Sequence, residues 1–180
     1  YDQGNHAIGR LNRVERLMSN APVSAIENSY DAVGNISVQR YIIDHQEYQT
    51  AYHYNKDHQI TSMTYPSGLT IHYHYNRLGK VNRITTDNDF ASIASDIDYM
   101  PFGSVKSLVY GNQLKLTRDY DLSYRLTKQQ VGEIKDDYGY DALGNITHIT
   151  HRQLPEESKI YTYDLLNRIT SMQSATENQN

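Results

Sequence analysis

Histidines and paired carboxylates are the residues of this chain whose spacing could do chemistry. His72-Tyr73-His74 would place two imidazoles on one face of a strand, within reach of a shared cation. No third ligand is evident beside them, so the pair is read as part of a polar sheet face. His148 and His151 stand three apart, which on a strand sends them to opposite faces. Asp96/Asp98 and Asp136/Asp137 are acidic pairs of the sort that general acid–base catalysis uses, yet nothing around them marks a pocket. They are read as solvated loop and strand charges. The chain has no cysteine, which removes disulfides, thiol catalysis and thiolate metal sites together. The sequence therefore predicts no catalytic residue, no metal site and no cofactor.

The 17 tyrosines hold the real competition. Rings with hydroxyls on an exposed sheet can stack on sugars and hydrogen-bond their edges. Equivalent tyrosines on neighbouring strands can equally form cross-strand ladders, each pair contributing about 0.2–1 kcal/mol. A sugar site should be local and irregular, whereas these rings recur regularly.

The elements that carry them follow from one repeated phrase: a tyrosine, an acidic or amide residue, two variable positions, a turn residue, a polar residue and an aliphatic. It reads Tyr30-Asp31-Ala32-Val33-Gly34-Asn35-Ile36, Tyr75-Asn76-Arg77-Leu78-Gly79-Lys80-Val81, Tyr140-Asp141-Ala142-Leu143-Gly144-Asn145-Ile146 and Tyr163-Asp164-Leu165-Leu166-Asn167-Arg168-Ile169. Anchored on the turn residue, the copies fall at Gly9, Gly34, His58, Gly79, Gly103, Tyr124, Gly144 and Asn167, 20 to 25 residues apart. This is the period of a repeat architecture. Two positions after the anchor stands Leu11, Ile36, Ile60, Val81, Val105, Leu126, Ile146 or Ile169. Four before it stands Tyr30, Tyr54, Tyr75, Tyr99, Tyr120, Tyr140 or Tyr163, with Asn5 in the first copy.

Asp and Asn at the second position cap a tight turn by accepting from backbone N–H groups, and the anchor supplies a left-handed residue. Asp31, Asp121, Asp141, Asp164 and Asn76 are thus turn caps; Met100 and His6 depart from the rule. Asn167 and His58 can occupy the left-handed region, but Tyr124 would be strained there, so that turn is expected to differ. A second set of turn signals lies between the anchors, in Tyr65-Pro66-Ser67-Gly68, Tyr110-Gly111-Asn112, Val131-Gly132-Glu133 and Leu154-Pro155-Glu156. Each repeat is then two strands and two turns. Segments of about 6 to 9 residues are too short for helices, which need roughly 12, and Thr, Ile, Val and Tyr favour strands.

Composition narrows the partners. Net charge is −4 with no basic run, which argues against nucleic acid and anionic membrane, and no apolar stretch approaches the roughly 20 residues of a membrane span. Tyr1-Asp2 opens in the middle of a repeat, so the natural N-terminus is expected to lie elsewhere.

The chain resembles the YD-repeat, or Rhs-repeat, family. Tyr140-Asp141-x-x-Gly144-Asn145-Ile146, Tyr65-Pro66-Ser67-Gly68, Tyr99-x-Pro101-Phe102-Gly103, Tyr110-Gly111-Asn112 and Tyr163-Asp164-x-Leu166-Asn167-Arg168 carry the resemblance in order as well as content. It implies an all-β strip of successive antiparallel β-hairpins, curved into part of a hollow shell like those of bacterial polymorphic toxins, the Tc toxin C-component and teneurins. The partners implied are the remainder of the shell and an enclosed toxin polypeptide, in a secreted or injected bacterial system or at the cell surface. Toxin members of the family end their shell in a self-cleaving Asp-Pro-x-Gly element. The four prolines here, Pro22, Pro66, Pro101 and Pro155, never follow an aspartate, so no catalytic residue is carried over.

Residues 1–180 thus read as one segment of about eight repeats, a non-enzymatic wall, with glycan binding through the tyrosines as the rival. Sixteen strands at about 4.8 Å spacing give a strip near 75 Å long, and closed on itself its diameter would be only about 24 Å. Such a strip can line a cage but cannot be one.

Overall fold

The computed structural model describes residues 6–18, 21–87 and 92–174. Fifteen strands lie among them: β1 (Arg13–Met18), β2 (Ala21–Tyr30), β3 (Ile36–Ile43), β4 (Gln46–Tyr54), β5 (Ile60–Thr64), β6 (Thr70–Tyr75), β7 (Val81–Thr86), β8 (Ser92–Tyr99), β9 (Val105–Tyr110), β10 (Lys115–Tyr120), β11 (Leu126–Val131), β12 (Ile134–Tyr140), β13 (Ile146–His151), β14 (Lys159–Tyr163) and β15 (Ile169–Ser174). A short 3-10 turn, Pro155–Glu157, is the only helical element among the described residues. The fold is all-β, as the repeat phrase predicts.

The chain divides into two units, residues 1–93 and 94–180. In the first, β1 to β7 pair in chain order, each antiparallel to the next. In the second, β8 to β15 do the same. Sequence-adjacent pairing follows from connections of two to seven residues, which leave no length for a crossover.

The tyrosine-bearing strand positions line up as apolar rows. Val14, Ile26, Tyr41 and Tyr48 are successive register partners, as are Tyr52, Met63 and Ile71 in the same unit. In the second unit Leu108, Leu116, Val131 and Ile134 form such a row. The alternate positions are polar: Arg13, Glu27, Arg40 and Gln49 make one row, with Glu27 bridging Arg13 and Arg40. A second layer that would cover the apolar rows is absent among the described residues. The buried apolar residues there are Ala7, Ala25, Ala94, Ile97 and Leu116, and no large side chain is wholly enclosed. Within each unit the strands are amphipathic and most side chains are part-exposed, whereas a self-sufficient domain packs two layers around a core.

Candidate functional site

The phrase turns anchored from Gly34 to Asn167 lock their repeats. At Asp31 the backbone N–H donates to the Asn35 carbonyl at 2.9 Å and the Asp31 carbonyl accepts from Gly34 N–H at 3.1 Å. The carboxylate closes the loop from the side: Oδ1 accepts from the amides of Val33, Gly34 and Asn35 at 3.0, 2.7 and 2.9 Å, and Oδ2 from the Asn35 side chain at 2.9 Å. Asp141 repeats this with Leu143 and Asn145, while Asp121 and Asp164 take Arg125 and Arg168 as the side-chain donor. Asn76 caps the amides of Leu78 and Lys80. Where Met100 replaces the acid, the turn closes through backbone alone, Met100 N–H to Ser104 and Gly103 N–H to Met100.

These bonds hold the caps below the ordinary carboxylate range. At Asp121 and Asp164 the backbone amides of Arg125 and Arg168 are the main cause, and at Asp141 the Asn145 amide side chain is. At Asp31 partial desolvation opposes the shift, and the donors from Asn35, Gly34 and Val33 outweigh it.

The anchors Gly34, His58, Gly79, Gly103, Gly144 and Asn167 all have positive φ. Tyr124 does as well, at φ 64°, with the same two backbone bonds as its neighbours, so the expectation of a different turn is corrected. Its ring offsets the strain by packing on Phe102 at 4.4 Å between centroids, and Phe102 in turn stands edge-on to Tyr120 at 5.3 Å.

Among the second set of turns, Tyr65-Pro66-Ser67-Gly68 closes in the same way. In Tyr110-Gly111-Asn112 the left-handed residue is Gln113, φ 69°, rather than the glycine. A further two-residue turn, Asp44-His45, has both φ values positive and carries no glycine to announce it.

The tyrosines join one repeat to the one before. Hydroxyls of Tyr30, Tyr54 and Tyr75 donate to the carbonyls of Leu11, Ile36 and Ile60 at 2.7, 2.8 and 2.7 Å. Those of Tyr120, Tyr140 and Tyr163 donate to Val105, Leu126 and Ile146 at 2.7, 2.7 and 2.8 Å. Each acceptor is the aliphatic that stands two after the preceding anchor, so the tyrosine and aliphatic positions of the phrase belong to one device. Within its own hairpin each tyrosine is the register partner of the following aliphatic: Tyr54 faces Ile60, Tyr99 faces Val105 and Tyr140 faces Ile146. A register shift falls immediately before the tyrosine in every one of these hairpins. A β-bulge re-aims side chains in this way.

Phe102 makes ring pairs with Tyr120 and Tyr124. The links are hydroxyl to carbonyl. Partial burial pushes the phenols of Tyr52, Tyr54, Tyr73, Tyr75, Tyr99, Tyr138 and Tyr140 above their usual range. Cations supplement two links: Arg10 lies 5.5 Å from the Tyr30 ring centroid and Arg125 4.6 Å from that of Tyr140.

The residues that could do chemistry pair off locally, and Asp136 and Asp137 line one cavity with Asp119, Lys128, Lys135 and Arg152. His72 Nε2 meets Asp87 at 2.9 Å, and His74 Nε2 meets Thr85 at 3.1 Å. Asp136 contacts His151, while Asp137 pairs with Arg152. Asp98 lies 3.9 Å from Lys106, and Asp96 accepts from Ser95. His148 lies across Gly139, its register partner, where a Cβ would collide with the imidazole. No group of three or more His, Cys, Asp or Glu is placed to hold a metal among the described residues.

The protein class these observations define is a hairpin-repeat protein whose units are tied together by tyrosines. The RHS Repeat family model matches residues 54–90. The fold matches three solved Tc toxin assemblies. The TcdB2–TccC3 complex without its hypervariable C-terminal region is 16% identical at a TM-score of 0.70, over 89% of this chain and 10% of that one. TcdB2–TccC3–Cdc42 is 17% identical at 0.67, with the same coverage. The Tc holotoxin pore of Photorhabdus luminescens is 18% identical at 0.68, over 83% and 9%. No curated protein compared with the chain matches it significantly. Residues 54–90 carry an RHS repeat, and the fold over most of the chain is the one seen in these Tc toxin chains. It spans about a tenth of the length of the solved chains it matches.

Proposed function

We propose that this chain is a stretch of wall in an Rhs-type encapsulating shell, and that its role is to enclose a toxin polypeptide until delivery. The observation that carries this reading is the pairing of a regular inter-repeat clamp with a missing second layer. Tyr54 to Ile36, Tyr75 to Ile60 and Tyr140 to Leu126 make each repeat stiff against the last, yet most of the apolar side chains in the rows they hold in place stay part-exposed. A sheet that is strongly joined along its length and open on its faces is built to border a space. The likeness of fold to Tc toxin components supports the reading. On this reading the wall is a non-enzymatic part. The toxin system it serves would act outside the producing cell.

Protease protection tests this. A polypeptide carrying these repeats with its downstream segment should shield that segment at protease concentrations that digest the same segment when freed. Digestion at equal rates would count against containment.

A second reading, carbohydrate binding, has one specific observation behind it. Phe102, Tyr120 and Tyr124 form a local and irregular aromatic cluster with Met100 and Pro101 beside it. Affinity on a glycan array that falls for Tyr124→Ala would favour that reading, and unchanged or absent signals would remove it.

A further inference from the structure

Three of the anchors are not glycine, yet His58, Tyr124 and Asn167 take the same positive φ as Gly34, Gly79 and Gly144. The turn alone therefore does not decide which residue stands there. What varies with the anchor is the polar position of the repeat before it. In sequence, Arg10 precedes Gly34, Gln59 precedes Gly79, Lys80 precedes Gly103 and Arg125 precedes Gly144, whereas Asn35 precedes His58, Ser104 precedes Tyr124 and Asn145 precedes Asn167. A long side chain is followed by a glycine anchor, and a short one by an anchor that has a side chain.

The structure gives this pattern a physical cause. Gln59 braces its own turn by accepting from the Asn55 side chain at 3.0 Å, and its Nε2 donates forward to the Gly79 carbonyl at 2.8 Å. A Cβ on Gly79 would lie 3.1 Å from that nitrogen, tighter than ordinary contact. The Arg10 guanidinium lies so close to Gly34 that a Cβ there would collide with it. Arg125 holds the Asp121 carboxylate at 2.8 Å and extends to the Asp141 carbonyl, in the turn closed by Gly144, at 3.3 Å. The asparagines reach less far and meet a side chain instead. Asn145 Nδ2 donates to its own cap, Asp141, and to Asn167 Oδ1, both at 2.9 Å. Asn35 donates to Asp31 and presents its Oδ1 to His58 Nδ1 at 2.9 Å.

These contacts do what the tyrosine clamp does not. The clamp ends on a backbone carbonyl, which every repeat offers alike. We infer that the polar position of one phrase and the anchor of the next are a matched pair that fixes which repeat can dock after which. Repeats that share one phrase can assemble wrongly with one another, a characteristic failure of repeat proteins. Matched pairs oppose this in both directions: a long side chain over a side-chain anchor is crowded, and an asparagine over glycine loses its bond.

Two double-mutant cycles, read by urea unfolding of the 180-residue chain, test the pairing. Gln59→Asn and Gly79→Asn should each destabilise. Combined, they should recover at least about threefold in the unfolding equilibrium constant relative to the product of the single effects. The left-handed backbone cost at position 79 enters both backgrounds and cancels. Asn145→Gln with Asn167→Gly should show a recovery of the same sign in the second unit. As a control, Gly68→Asn carries a similar backbone cost, at φ 85° with open space where its Cβ would stand, and its effect should simply multiply with that of Gln59→Asn. The inference is overturned by multiplicative effects in either cycle, or by an equal recovery in the Gly68 control.

Discussion

The Tyr140 hydroxyl donates to the carbonyl of Leu126 at 2.7 Å, across fourteen residues of chain and from one repeat to the one before. Leu126 and Tyr140 are the aliphatic and aromatic positions of consecutive phrases, and the same bond recurs from Tyr163 to Ile146. The clamp ties neighbouring hairpins, each marginal alone, to one another.

Tyr140→Phe isolates that bond, since it removes the hydroxyl and keeps the ring under Arg125. Loss of about 1 kcal/mol is expected, the net worth of a hydrogen bond, read from urea unfolding. Tyr161→Phe, outside the clamp positions, should change stability by less than half as much.

At Tyr124 strain and packing oppose each other. Tyr124→Gly relieves a left-handed cost of about 1–2 kcal/mol, but loses the contact with Phe102 and frees the unfolded chain, so stability should stay within about 0.5 kcal/mol of the starting value. Gly144→Tyr imposes the same backbone cost where no aromatic neighbour replaces Phe102, and a loss of about 1–2 kcal/mol is expected. Equal and opposite effects of the two substitutions would show that the Phe102 contact contributes nothing.

Gly139 makes room for His148 on the neighbouring strand. Gly139→Ala should therefore destabilise when His148 is present and become neutral or stabilising in a His148→Ala background. A double-mutant cycle should return a coupling of about 0.5–1 kcal/mol. Additive effects would mean the imidazole moves aside freely.

Acid should loosen the turns. Asp31, Asp121, Asp141 and Asp164 have carboxyls held below the usual 3.8 in the fold. Their contribution is complete above 3.8 and is lost as pH falls through their lower folded values, because the unfolded chain takes up protons first. Urea midpoints should be flat from pH 7 to about 5 and fall below about 4, and Asp141→Asn, which keeps an acceptor at Oδ1, should make that acid loss shallower.

Much of this was legible in sequence because the phrase states backbone chemistry directly. Asp31 and Gly34 name a cap and a left-handed residue, and both do what those residue types do anywhere. Less legible were features that depend on what lies on the adjacent strand. Nothing in Tyr140 says that its hydroxyl reaches Leu126, because the bulge that aims it is a matter of register. Tyr124 reads as strained until Phe102 is placed beside it. Leu122 and Leu143 sit at positions that look variable, and only the turn geometry shows them to be exposed. Asp44-His45 was missed because neither residue is glycine, although both lie in the region glycine favours. His58, with φ 60° and its ring on the Asn35 side chain, shows the same adaptability.

The most direct test is electron microscopy of a longer polypeptide carrying these repeats. The account predicts a hollow particle whose wall is one hairpin layer thick, with tyrosine-to-carbonyl clamps between successive repeats. A solid β domain, its apolar rows packed against a second layer and no internal cavity, would contradict it.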